Sequence, residues 1–140
     1  MEPEPLEGIA EADAHLGRAM PLPRVALPLT RWVDVHAVGE QAVEVAWNLD
    51  DSRPGEPGRV ALYAGAAPAP PRELPDASAP EPVGGADVAI THREAPLSEA
   101  QDSLRPVHEL TWERDGLHLR LTAQGPWAVS VLVSIAQSVG

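Results

Sequence analysis

The chain contains no cysteine, no phenylalanine and no lysine. Without cysteine there is no disulfide framework, no thiolate metal site and no cysteine nucleophile. The compartment stays open on that count, because 140 residues can bury a core without covalent staples. Without phenylalanine, and with one tyrosine and four tryptophans, the core must be built from Val, Leu, Ala and a few Trp. Without lysine the ten basic residues are all arginine, and 21 acidic residues outnumber them to give a net charge of −11. Such a surface repels phosphate backbones, and no Arg cluster offsets it, so no nucleic-acid partner is expected. No apolar run approaches the roughly 18 residues of a transmembrane helix, so no direct membrane insertion is expected either. The opening "MEPEPLEGIAEADAHLG" is acidic and has no apolar core of the signal-peptide kind. If the chain is complete it is expected in the cytoplasm; if it is cut from an anchored protein, outside it.

What is present reads as one domain over 1–140. Leu6, Ile9, Ala10, Asp13, Leu16 and Met20 mark a short amphipathic helix over 6–20. "PLPRVALPLTRW" follows, and its prolines favour an extended path. "WVDVHAVGEQAVEVAWNL" reads as a hairpin: Val33, Val35 and Ala37 alternate, then Val43, Val45, Trp47 and Leu49 after Gly39-Glu40. "RVALYAG" is a third strand with Val60 and Leu62 inward. Residues 65–86 hold six prolines and three glycines, and are expected to form a Pro/Ala-rich mobile loop. "DVAITHR" resumes as a strand with Val88 and Ile90 on one face, and "EAPLSEAQDSLRP" is a connector. In "GPWAVSVLVSIAQSVG", Ala128, Leu132, Ile135, Ala136 and Val139 form the stripe of a terminal helix.

"LTWERDGLHLRL" gathers residue types from which active sites are made. The alternation assigns them otherwise. His108, Leu110 and Trp112 share one strand face, Leu117, Leu119 and Leu121 the next, with Asp115-Gly116 as the tight turn. Glu109, Thr111, Glu113, His118, Arg120 and Thr122 then line the solvent side, where Glu113 pairs across the strands with Arg120 or His118.

The search for chemistry is largely negative. His15, His36, His92, His108 and His118 include no pair at helical metal-binding spacing and no His-Glu-x-x-His. Four of them fall on strands and would make a site only by converging on one sheet face. No Gly-x-Ser-x-Gly surrounds a serine. "NLDDSRPGEPG" lacks the regular acidic ladder of a calcium loop and reads as a turn. No catalytic residue, cofactor or metal is therefore assigned. His36, His92, Glu113, His118 and Arg120 are the residues expected to form a ligand or partner face.

Three stretches carry a family resemblance. They are "EADAHLGRAMPLPRVALP", "AVEVAWNLDDSRPGEPGRVALYAG" and "LTWERDGLHLRLTAQGPWAVSVLVSIAQSVG". In this order they resemble a bacterial domain family of unknown function, found in the extracytoplasmic parts of anti-sigma-factor-like membrane proteins and lipoproteins. The resemblance spans about half the chain and implies a sensory or interaction module rather than an enzyme. It carries no catalytic residues. Members of that family usually follow a transmembrane segment, whereas this sequence starts at a Met without one, so either a piece of a longer protein or a free-standing member is expected.

The expected architecture is α+β: a mainly antiparallel sheet of about five or six strands, with the N- and C-terminal helices packed on one face. The expected function is a non-catalytic binding or regulatory module for an unidentified protein or small ligand. The alternatives are a small metal-dependent hydrolase using the strand histidines and a carrier of an apolar ligand between sheet and helices.

Overall fold

Strands with apolar residues at every second position need a partner layer for one face only. The computed structural model, which describes residues 4–5, 8–24, 32–48, 60–69, 79–83, 89–95, 107–124 and 127–139, supplies it with two helices. The elements run β1 (Glu4–Pro5), α1 (Ile9–Leu16), β2 (Trp32–Gly39), β3 (Ala42–Asn48), β4 (Val60–Gly65), β5 (Glu81–Pro82), β6 (Thr91–Ala95), β7 (Val107–Arg114), β8 (Leu117–Gln124) and α2 (Val129–Ser138). All strands join one antiparallel sheet of order β1-β2-β3-β4-β8-β7-β6-β5. The count exceeds the expected five or six because each border carries a two-residue strand, both of them Glu-Pro. The sheet is two meanders, β1–β4 and β5–β8, laid side by side along β4 and β8.

Register decides what each face carries. Val35 lies opposite Val45, Val45 opposite Leu62, Leu62 opposite Leu121 and Leu121 opposite Leu110, so one apolar row crosses five strands. These side chains join Ala12, Leu16 and Met20 from the α1 region and Leu132, Ile135 and Ala136 from α2 in a single core. Both helices thus serve the same core, as the pattern of apolar residues requires.

The helices are shorter than the periodicity suggested. Helix α1 ends at Leu16 because Gly17 turns into the left-handed region (φ 82°), its N–H bonding back to Asp13. The α2 stripe holds at Leu132, Ile135, Ala136 and Val139, while Ala128 is the exposed N-cap residue. The 107–124 hairpin forms as read, with Asp115 and Gly116 both at positive φ (52° and 80°), the signature of a type I′ turn. The first hairpin turns one residue later than expected, at Glu40-Gln41, with an irregular register at Ala37/Gly39. Within 65–86, Gly65 belongs to β4 and Glu81–Pro82 pairs with β6, followed by a bond from the Val83 N–H to the Ile90 carbonyl (2.8 Å). Leu49, Val88, the turn at 50–59 and the connector at 96–106 lie outside the described residues. Among the described residues no helix is long and apolar enough to cross a membrane.

The hairpin tip is fastened at both sides. Arg18, just beyond α1, donates to the Asp115 carbonyl (2.6 Å), and Arg114 donates to the Val139 carbonyl at the end of α2 (2.9 Å). Two charged residues of the "WERDG" stretch are thereby occupied in holding the terminal helices.

Trp112 stands on the covered face, 5% exposed, opposite Leu119. Trp112→Ala is expected to cost about 3–5 kcal/mol, the usual range for emptying a large core site. Urea unfolding of the two proteins measures it, and a variant as stable as the parent would remove Trp112 from the core.

Candidate functional site

The face away from the helices carries a polar row. The Cα partners run Pro5, His36, Glu44, Tyr63, Arg120, Thr111, Thr91 and Pro82, one from each of the eight strands. A second row beside it holds Glu113, His118 and Gly65. Alternation alone produces both rows, since from β2 to β8 each of these residues sits one position from an apolar one that packs in or against the core.

Tyr63 and Arg120 form the centre of the row. The Arg120 guanidinium carbon lies 5.7 Å from the Tyr63 ring centroid, within cation–π range. The Tyr63 hydroxyl donates to the Ala67 carbonyl (2.8 Å). The ring reaches it by lying along its own strand over Gly65, where a Cβ would collide with the phenol. Glycine at 65 is therefore what lets Tyr63 lie flat beneath Arg120. Burial raises the Tyr63 pKa above its ordinary 10.0, and the Arg120 charge opposes that rise.

Beside this pair opens a cleft of about 390 Å³. Thr91, Thr111, Glu113, His118 and Arg120 line it, with Pro68 and Ala69 at one rim. His118 and Glu113 face each other across the hairpin at 3.2 Å, the cross-strand pair the sequence suggested. The hairpin's polar side is not simply its solvent side, however. Glu113 is exposed, but deeper along the strands Glu109, Arg120 and Thr122 are buried. These positions lie at the middle of a wide sheet, where neighbouring strands crowd them from both sides. A buried charge needs a partner, and Glu109 takes two donors from Arg93, Nε at 3.2 Å and a terminal nitrogen at 2.7 Å.

The five residues expected to share a face divide. Glu113, His118 and Arg120 line the cleft. His36 shares their face but sits on β2, beyond β3 and β4. His92 is on the opposite, core-facing side with His108, so the four strand histidines do not converge on one face. His92 Nε2 lies 3.0 Å from His108 Nδ1, with the rings stacked at 26°. Burial lowers the His108 pKa below 6.5, Glu94 works against that and His92 adds to it. Sequence reasoning missed Tyr63, Thr91 and Thr111. Thr111 was placed on the hairpin's polar side but not assigned to the site, and the β4–β8 and β6–β7 pairings that bring Tyr63 and Thr91 beside it could not be read.

No protein-family profile matches the chain, and neither the curated proteins nor the solved structures include a significant match.

Tyr63 is the chain's only tyrosine, so the tyrosinate absorption band reports it alone. That band is expected to titrate above 10.0 in the folded protein, and higher still in Arg120→Gln, where the opposing charge is gone. A raised phenol pKa favours the protonated fold. Its contribution to stability is intact below 10.0 and is lost as pH climbs through the folded value. A spectrophotometric titration with midpoint at or below the ordinary value, or unmoved by Arg120→Gln, would contradict the Tyr63–Arg120 geometry.

Proposed function

We propose that the protein is a non-catalytic binding module that takes a small polar ligand into the cleft beside Arg120. The observation that carries this reading is the convergence of Thr91, Thr111, Glu113, His118 and Arg120 on one concavity. Its volume of about 390 Å³ is the size of a small-metabolite site. Two hydroxyls, a guanidinium, an imidazole and a carboxylate favour a hydroxylated or carboxylate-bearing molecule over an apolar one. Among the described residues that line it there is no serine. The His118 imidazole is engaged by Glu113, and Arg120 lies over Tyr63, an arrangement suited to recognition rather than to bond cleavage. The resemblance to domains of anti-sigma-factor-like proteins agrees with a sensory or regulatory role.

The alternatives have less behind them. A hydrolase built on the strand histidines would need substrate access to His92 and His108, which face away from this cleft and are buried. For a carrier of apolar ligands, the crevice between the α1 end and the hairpin tip, lined by Met20, Leu117 and Leu119, is about 160 Å³, small for such cargo.

A thermal-shift panel of amino acids, dicarboxylates and monosaccharides tests the reading. At least one class should raise the melting temperature, and Arg120→Gln and His118→Gln should each abolish the rise. The ligand should be recovered unchanged after incubation. Turnover of the ligand would make the protein an enzyme, and stabilisation that survives both substitutions would move the site elsewhere.

A further inference from the structure

On the other side of the sheet, where β6 meets β7, three potential ligand atoms come together. The register sets Glu94 directly opposite His108. His92 stands two residues before Glu94 on the same strand, so all three side chains leave the same face. One nitrogen from each histidine and a Glu94 carboxylate oxygen lie within 4.8 Å of one another. His92 and His108 are 7% and 3% exposed, whereas Glu94 is exposed.

We propose that His92, Glu94 and His108 bind a single divalent transition-metal ion of the zinc class. This site is separate from the cleft of the proposed function, with which it shares no side chain, and does not depend on that reading. The spacing supports it first. Two imidazole nitrogens each about 2.0–2.1 Å from a tetrahedral ion stand roughly 3.3 Å apart. The 3.0 Å between His92 Nε2 and His108 Nδ1 is close to that value, so a small opening of the pair admits an ion without moving a strand.

The donor set supports it next. Two neutral nitrogens and one carboxylate oxygen suit Zn²⁺, Co²⁺ or Ni²⁺, and disfavour Mg²⁺ and Ca²⁺, which seek oxygen alone. The arrangement has a way in as well. Glu94 stands at the solvent side of the buried pair and attracts a cation, helped by a chain whose net charge is −11. Three protein ligands leave at least one position for water, which makes the ion exchangeable.

Tag-free protein, stripped with EDTA and titrated with ZnCl₂ by calorimetry and thermal shift, tests the site. One equivalent should bind and raise the melting temperature, while MgCl₂ and CaCl₂ leave it unchanged. CoCl₂ should give a visible absorption band of low-coordinate cobalt that Zn²⁺ bleaches. Glu94→Gln changes an exposed side chain and keeps the fold, so it decides the matter: affinity for Zn²⁺ should fall at least about tenfold. His92→Gln should abolish binding, and His118→Gln, away from the site, should leave it intact. If ZnCl₂ produces no saturable one-to-one shift, or if Glu94→Gln binds as tightly as the parent, the pair is a hydrogen-bonded histidine pair and the proposal falls.

Discussion

Everything in this fold hangs on the pairing of β4 with β8. Each meander is made of strands that are close neighbours in sequence or joined by a single connector, but β4, in the middle of the chain, and β8, near its C-terminal end, meet only in the folded sheet. Their register puts Leu62 against Leu121 and Ala64 against Leu119 beneath the helices, and Tyr63 against Arg120 on the reverse. Core and cleft are therefore two consequences of one alignment. A slip of one residue would expose the leucines and bury Arg120 among them, so hydrophobic burial on one face enforces the polar geometry of the other.

That coupling explains how charged groups can lie in the middle of the sheet. Burying Arg120 and Glu109 costs desolvation energy that an isolated hairpin could not sustain. Here the apolar row below holds the strands regardless, and the charged groups find local partners, Arg120 over the Tyr63 ring and one Glu109 oxygen against Arg93, while the other Glu109 oxygen stays buried without a hydrogen bond. Gly65 belongs to the same device, because its missing side chain lets the phenol lie down. The strand positions set the charges, and small concessions in neighbouring residues make them tolerable.

Local structure was legible in the residues and long-range pairing was not. The 107–124 hairpin could be read in full, since Asp115-Gly116 names its turn and the leucines name its inner face. The terminal helices, the alternation of Val43, Val45 and Trp47, and the Glu113–His118 pair were likewise visible. What escaped was which strand lies beside which. His92 and His108 are 16 positions apart and separated by a connector, and nothing in their spacing brings their rings together. The same gap hid Thr91 and Tyr63 from the cleft. It also made the hairpin's polar side look uniformly wet, because burial at Glu109 and Thr122 comes from neighbours that only the full sheet supplies.

Both borders of the sheet end in the same dipeptide, Glu-Pro, paired for only two residues. A sheet this wide carries a hazard at its margins, where open amides and carbonyls can template the addition of a strand from another molecule. Proline has no amide hydrogen to offer such an addition, and at the β5 border the exposed Glu81 adds a negative charge. Strand addition at either described border thus meets a missing amide hydrogen, and at β5 a charge as well.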